Sequence, residues 1–140
     1  MPGASSFRSL VTARAGGACE YCRLVEAATG VTFHVDHILP RSQGGPTTLS
    51  NLALSCPGCN LSKAERVIAA ERQGQLQRLY NPRSFEPPSL GWHLHFILDT
   101  ASGFILPRTA VAEATIEALG MNDESRVFAR ILQIRIGLIS

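Results

Sequence analysis

The sequence is short of charge, of lysine and of long apolar runs. Only 17% of its 140 residues are charged, the formal net charge is +2, and Lys63 is the single lysine among thirteen basic residues. So small a net charge excludes a chain-wide surface for polyanions. No run approaches the roughly 18 apolar residues of a membrane-spanning helix, and the N-terminal stretch lacks the apolar core of a signal peptide. We therefore expect a soluble, cytoplasmic protein that makes no membrane contact.

Repeats and low-complexity tracts are also missing, and 45% hydrophobic content is typical of one globular domain or of a small motif with an extension. The four cysteines form two C-x-x-C pairs, Cys19 with Cys22 and Cys56 with Cys59. In an intracellular chain this spacing favours a tetrahedral zinc site, with two disulfides or a redox pair as the alternatives. The 33 residues between the pairs exceed the usual zinc-ribbon spacing, so the intervening segment is expected to hold more than a turn.

The segment between and just after the cysteine pairs predicts a compact order of elements. Alternating side chains over residues 31–36 predict a half-buried strand, and the prolines and glycines of residues 40–46 predict a surface loop. Residues 52–54 are short and apolar enough for a second strand that returns beside the first. A helix is predicted from about Asn60 to Gln73. The order strand, loop, strand, helix is a ββα unit, preceded by a short helix that ends before Gly16.

Side chains in this unit suit the hydrolysis of a phosphodiester. A histidine with a pKa near 6.5 can take a proton from water at neutral pH, and a divalent cation can stabilise the charge on the phosphoryl oxygens. Mg²⁺ prefers oxygen ligands, and Asp36 and Asn60 offer one side-chain oxygen each. Asp36 and His37 end the first strand, where a break in the alternation can bring both side chains to one side.

The segment from Arg14 to Lys63 resembles the HNH (His-Asn-His) endonucleases, or ββα-metal nucleases, in the subgroup with two C-x-x-C zinc knuckles. Its three letters would be His37, Asn51 and Asn60, the last in place of the final histidine. The resemblance implies a DNA endonuclease of α+β fold, with the ββα-metal core pinned by a structural Zn²⁺ on the four cysteines. It makes His37 the general base, and it gives Asp36 and Asn60 a catalytic Mg²⁺ or Mn²⁺. Asn51 would orient His37 or brace the loop, although an asparagine before an apolar run also suits a turn cap.

Other polar residues have two interpretations each. His34 shares the predicted strand face with Asp36, so it is either a third ligand of the catalytic cation or a structural histidine. His93 and His95 flank an apolar position, which is typical of structural or surface residues. Arg41 and Lys63 are expected to contact nucleic-acid phosphates because of their charge and position, and the double-stranded form of DNA is the expected substrate.

The sequence predicts an HNH nuclease domain with its N-terminal helix at residues 1–73 and an extension at residues 74–140. The extension resembles the tails of small stand-alone HNH proteins. It is expected to contain a β-hairpin, formed by residues 92–98 and 104–106, and two helices, one from Thr109 to Leu119 and one capped by Asn122. The last helix carries an apolar stripe, which is expected to lie in the core, with a homodimer contact or a contact with another partner as the alternative. The stripe consists of Val127, Phe128, Ile131, Leu132, Ile134 and Leu138.

Two functions from different classes fit these residues. The first is a metal-dependent endonuclease, and the second is a catalytically inactive zinc module that binds nucleic acid or protein. The presence of Asp36, His37 and Asn60 together favours the enzyme. A plain zinc ribbon accounts for neither the Asp-His pair nor the Gly44-Gly45 loop.

Overall fold

The computed structural model describes residues 3–140 as a mixture of helices and short antiparallel hairpins, which confirms the predicted α+β class. The helices are α1 (Arg8–Arg14), α2 (Pro57–Lys63), α3 (Pro88–His95), α4 (Ala110–Leu119) and α5 (Glu124–Arg135). The strands pair as β1 (His34–His37) with β2 (Leu52–Ser55), β3 (Ile68–Ala70) with β4 (Leu76–Arg78), and β5 (Phe96–Leu98) with β6 (Ile105–Pro107). No helix among the described residues has both the length and the apolar character needed to cross a membrane.

The β1–β2 hairpin and α2 form the ββα unit. The strands are antiparallel, with Asp36 opposite Ala53 and His37 opposite Leu52. All four residues of β2 are buried, so this strand anchors the hairpin in the core. Helix α2 follows directly because Cys56 caps its N-terminus and Pro57, with its restricted φ, suits the first helical position. The predicted order of elements is confirmed here, and it brings α2 against β1.

The prediction that α2 continues to Gln73 is wrong. The helix ends at Lys63 because Ala64 adopts a positive φ of 49°, and the chain then forms the β3–β4 hairpin. The turn of this hairpin contains Gly74 at φ 91°, a conformation that glycine adopts without strain. The turn is closed by a hydrogen bond from the N–H of Gln75 to the carboxylate of Glu71 at 2.8 Å. The hairpin packs on α4 and spans the predicted boundary between residues 73 and 74.

The strand predicted for residues 92–98 is correct only from Phe96 onward. Residues 88–95 form helix α3 instead, since Pro88 occupies its first turn and Pro87 precedes it in an extended conformation. The helix is held by tertiary contacts, because the indole N–H of Trp92 donates to the carbonyl oxygen of Tyr21 at 2.8 Å. The hairpin predicted after it is present as β5–β6.

Helix α4 agrees with the prediction at both ends. The hydroxyl of Thr109 accepts a hydrogen bond from the N–H of Ala112 at 3.1 Å, and Gly120 ends the helix in the left-handed conformation. The predicted cap of the last helix is wrong. Asn122 lies outside α5 and bonds both the N–H and the carbonyl of Ile105, so it fastens the chain to β6 instead.

Helix α5 is oriented opposite to the prediction. Its buried residues are polar, namely Arg126, Arg130 and Gln133, whereas Phe128 and Leu132 are exposed. The three polar side chains are buried because each has partners: Arg130 donates to the carbonyl oxygens of three other chain segments, and Gln133 bonds the N–H and carbonyl of Val25. A buried charge with such partners is retained where an unpaired one would be expelled.

Candidate active site and metal centre

The four cysteines converge in the core. Their Sγ atoms all lie within 4.8 Å of one another, those of Cys22 and Cys56 are 3.5 Å apart, and no cysteine is in a disulfide. Four thiolates around a zinc ion at about 2.3 Å would stand about 3.8 Å from each other, so the tetrad fits zinc. Each turn is locally rigid, since the N–H of Cys22 points to Cys19 Sγ and that of Cys59 to Cys56 Sγ, both at 3.4 Å.

The electrostatics of the tetrad favour thiolate formation at Cys56 and disfavour it at Cys59. Hydrogen bonds from the other cysteines, Cys19 first, hold the pKa of Cys56 far below its ordinary value. Hydrogen bonds from the same group raise the pKa of Cys59, with Cys19 again first. A divalent cation would displace the remaining thiol protons, because sulfur binds zinc as thiolate.

Arg126 completes the surroundings of the tetrad. Its Nη1 donates to Cys59 Sγ at 3.2 Å and to the carbonyl of Leu119 at 2.6 Å. Burial lowers the pKa of Arg126, but the neighbouring cysteines, Cys59 first, raise it by more, so the net shift is upward. The guanidinium fits because residue 58 is glycine: a Cβ on Gly58 would lie 2.5 Å from Nε of Arg126.

Asp36 faces α2 from β1. Its Oδ2 lies 3.1 Å from Nζ of Lys63, and the side chains are 12% and 3% exposed, respectively. The same Nζ donates to the carbonyl of His37 at 3.1 Å. Although Lys63 is near, Oδ2 of Asp36 is buried and receives no hydrogen bond of good geometry. Burial raises the pKa of Asp36 and outweighs the opposing effect of Lys63. A buried carboxylate oxygen without a directed donor suits a hard cation.

Asn60 lies on the same face of α2 as Lys63, since the two are three residues apart on the helix. This places Asn60 one turn from the group that contacts Asp36, and its side chain is half-buried. His34 is exposed at the start of β1. Among residues 3–140, the cysteine tetrad is the one cluster of three or more His, Cys, Asp and Glu side chains with the geometry for a metal. His34 is therefore not brought together with Asp36 and a third such group.

His37 depends on a residue that the sequence analysis missed. Its Nε2 is 2.8 Å from the hydroxyl of Thr47, ten residues away at the end of the loop. Burial, followed by the charge of Arg41, lowers the pKa of His37, and Asp36 only partly offsets them. The imidazole is therefore neutral at pH 7, and the protonation state suits a general base. Nothing in the sequence singles out Thr47 among its neighbours.

Asn51 braces the loop and does not contact His37. Its Oδ1 accepts from the N–H of Leu39 at 2.9 Å, and its Nδ2 donates to the carbonyls of Leu39 and Pro46 at 3.0 and 2.9 Å. These bonds fix the residue just before Thr47 and so act on His37 indirectly. The loop is tight, because a Cβ on Gly45 would lie 1.8 Å from the carbonyl oxygen of Leu39.

The two expected phosphate contacts have different surroundings. Arg41 is exposed in the short 3-10 turn Arg41–Gln43, so its guanidinium is accessible from solvent. Lys63 is 2% exposed and its ammonium points inward to Asp36 and His37. In this conformation Lys63 contacts groups inside the site.

Comparison with known proteins agrees with this geometry. Residues 19–66 match the family model described as HNH endonuclease, and the match runs from the first knuckle to just beyond α2. Searches of curated proteins and of solved structures found no match. The matched segment contains the cysteine tetrad and the Asp36–His37 pair, together with Asn51 and Asn60. Residues 19–66 are therefore similar to HNH endonuclease domains and carry a cysteine tetrad suited to a structural metal.

Proposed function

We propose that the protein is a metal-dependent endonuclease that hydrolyses phosphodiester bonds of DNA, with His37 as the general base. The observation that carries this proposal is the state of His37: its imidazole is partly exposed, oriented by Thr47 and held neutral by a lowered pKa. A neutral, positioned histidine with access to solvent is what proton removal from water requires.

Thr47 also selects the reactive nitrogen of His37. If Nε2 carries the proton and donates to the Thr47 hydroxyl, Nδ1 is the ring nitrogen with a free lone pair. Nδ1 has no hydrogen-bond partner among the described residues, so it is the atom that would accept a proton from the attacking water. This tautomer is our assignment from the hydrogen-bond pattern.

Asp36 and Asn60 would hold the catalytic cation, Mg²⁺ or Mn²⁺. The fit rests on the donor set, one carboxylate and one amide oxygen, and on the buried Oδ2 of Asp36 that lacks a directed donor. When bound, the cation would stabilise charge on the phosphoryl group and assist the leaving oxygen. Lys63 keeps the carboxylate of Asp36 in place from α2, and Arg41 would contact a DNA phosphate from the loop.

One observation favours the alternative, an inactive zinc module that binds nucleic acid or protein. The ammonium of Lys63 lies 3.1 Å from the Asp36 carboxylate and therefore already neutralises part of its charge. If this ion pair is stronger than cation binding, the fold would persist without hydrolysis. Affinity of the protein for Mn²⁺ separates the two functions before any cleavage is measured.

The test of the proposed function is plasmid cleavage. Wild-type protein, with Mg²⁺ or Mn²⁺, is expected to nick or linearise supercoiled DNA, and His37→Ala protein with the same zinc content and circular dichroism is expected to be inactive. His93→Ala is the matched control, because His93 is an exposed histidine in the extension. Equal cleavage by His37→Ala would exclude His37 as the base. A zinc-loaded wild type that neither binds Mn²⁺ nor cuts DNA would establish the binding module.

A further inference from the structure

Helix α5 exposes a continuous apolar face to solvent. Phe128 is 64% exposed and Leu132 47%, and they lie opposite the buried polar side of the same helix. Beside them, Val127, Phe128 and Ile131 line a 370 Å³ groove together with Phe104. Exposed large apolar residues that stand singly are ordinary, but a helix face with a groove alongside it marks an interaction surface.

The inner side of α5 cannot turn to cover this face. Arg126 and Arg130 are bound to the cysteine turns and to the carbonyls of Leu119 and Met121, so rotation of the helix would leave buried arginines unpaired. A Cβ on Gly103 would lie 3.0 Å from the carbonyl of Val127, which shows how closely the preceding turn is packed on α5. The apolar face is therefore a fixed feature of the folded chain.

Two charged residues end the same face. Glu124 is the first residue of α5 and Arg135 the last, both are exposed, and neither has an ion-pair partner among residues 3–140. They are eleven residues apart, which is about 16 Å along a helix and three full turns, so they point in nearly the same direction. The face thus has an acid at one end, a base at the other, and apolar residues between.

We propose that this face binds a second copy of the chain, with the two α5 helices antiparallel about a two-fold axis. One register then matches the charged ends of the face and the apolar residues between them. Glu124 of each copy meets Arg135 of the other, and Phe128 of each copy meets Ile131 of the other. Val127 and Leu132 pair in the same way. An interface of this kind is self-complementary, as two-fold symmetry requires.

The charges also argue for a second copy over other occupants. Nucleic acid or an anionic bilayer would be attracted by a face of one positive sign, whereas this face carries one charge of each sign. Along the helix the acid comes first and the base last, so an antiparallel copy places its base opposite the acid and its acid opposite the base. The dimer would present two HNH domains, but its formation is independent of their activity.

Sedimentation equilibrium on the full zinc-loaded chain tests this interface. Wild-type protein is expected to dimerise at micromolar concentrations, and Phe128→Asp is expected to weaken association at least 10-fold, because it places a charge at the centre of the apolar face. Leu76→Asp is the matched control, since Leu76 is 68% exposed on the β3–β4 hairpin, outside α5. A wild type that stays monomeric up to about 1 mM overturns the proposal, as does a dimer that Phe128→Asp leaves unchanged.

Charge reversal tests the antiparallel register. Glu124→Arg and Arg135→Glu are each expected to weaken dimerisation by about 3- to 30-fold, because two exposed ion pairs become two like-charge contacts. The double variant restores opposite charges at both ends and is expected to return to within about threefold of the wild type. All three should keep wild-type zinc content and circular dichroism, since both residues are exposed. A double variant as weak as the singles, or a dimer that neither reversal weakens, rejects this packing.

Discussion

At the scale of single residues, the candidate site depends on side chains that contact His37 and Asp36 but are not themselves proposed to react. His37 is oriented by the hydroxyl of Thr47, and Asp36 by the ammonium of Lys63. Asn51 has three hydrogen bonds and contacts neither. In the proposed mechanism these side chains contribute orientation, so substitution of one of them is expected to change the cleavage rate more than it changes folding.

Thr47→Val should slow DNA cleavage about 3- to 10-fold, because it removes one hydrogen bond worth about 0.5–1.5 kcal/mol from the base. Thr47→Ser keeps a hydroxyl and should retain most of the rate. The measurement is single-turnover cleavage at saturating metal. Thr48→Val serves as the control, since Thr48 is exposed and its hydroxyl bonds only the hydroxyl of Ser50. Equal rates for Thr47→Val and wild type would remove Thr47 from the mechanism.

At the scale of secondary-structure elements, the loop between β1 and β2 is as constrained as the strands it joins. Gly44 adopts a positive φ of 86°, and Gly45 lies against the carbonyl of Leu39 with no room for a side chain. Because Asn51 closes the same loop, the loop positions Thr47 against His37 as one unit.

Gly45→Ala should destabilise the protein more than Gly44→Ala. A Cβ at residue 45 would overlap backbone atoms at 1.8 Å, which forces the loop open, whereas alanine at residue 44 has open space and incurs about 1–2 kcal/mol of left-handed strain. Urea unfolding followed by circular dichroism gives both free energies. The reverse order of the two variants would show that the loop rearranges without loss.

A second element-scale prediction concerns α5 and the tetrad. Arg126→Gln removes a positive charge from Cys59 Sγ, and Gly58→Ala displaces the guanidinium sterically while keeping the arginine. Both should accelerate zinc release, because net negative charge on the thiolates is less compensated. Release is followed with a chromogenic chelator. Arg108→Gln is the control, because Arg108 is exposed just after β6. An unchanged rate of zinc release from both test variants would show that Arg126 contributes only to packing.

A third concerns the junction of α3 and α4, where Nδ1 of His95 is 2.7 Å from the hydroxyl of Thr109. Burial lowers the pKa of His95 in the folded state, so the unfolded chain binds the proton more tightly. The contribution of His95 to stability is therefore complete above pH 6.5 and falls as the pH drops toward the folded pKa. His95→Asn keeps an acceptor but cannot titrate. As the pH is lowered from 7.5 to 5.5, the free energy of unfolding of this variant, measured in urea, should rise relative to that of the wild type. A constant difference between the two proteins contradicts the assignment.

At the scale of the whole molecule, the tetrad joins the HNH-like residues 19–66 to the C-terminal helices. Arg126 and Arg130 reach it from α5, and the indole of Trp92 reaches the first knuckle from α3. The Glu20–Arg83 ion pair is a further link between the two parts. Zinc binding is thus expected to stabilise residues well beyond the domain that holds it.

Zinc removal should therefore open the extension as well as the knuckles. Trp92 is the single tryptophan and is 2% exposed, so its emission should shift to longer wavelength when a strong zinc chelator removes the metal. Withdrawal of Mg²⁺ should abolish cleavage and leave the emission unchanged, because the indole of Trp92 is bonded to Tyr21 and to neither Asp36 nor Asn60. Unshifted emission in zinc-free protein would show that the extension folds independently of the tetrad.

The short-range signals in the sequence were enough for the ββα order, the cysteine tetrad and helix α4, and they failed for the end of α2, for α3 and for the buried face of α5. Pairs of cysteines three residues apart, an alternating strand and a Pro–Gly loop each act over a few residues, so the ββα order and the tetrad were predicted correctly. The same reasoning wrongly predicted that α2 continues to Gln73 and that the α3 segment is a strand, because the pattern of each segment suits either structure. Contacts with α4 and with Tyr21 decided between them.

The residue patterns of the chain, with the family resemblance that they carry, determined the fold class, the candidate metal-binding cysteines and the candidate Asp-His-Asn residues. Tertiary structure decided which face of α5 is buried, that Thr47 orients His37 and that Lys63 points inward to Asp36. The physical reason is that a buried charge is stable only beside its partner. The partner of Arg126 is Cys59, 67 residues away in the chain. Local sequence patterns do not predict a contact between such distant residues, because the contact forms only when the two segments pack together.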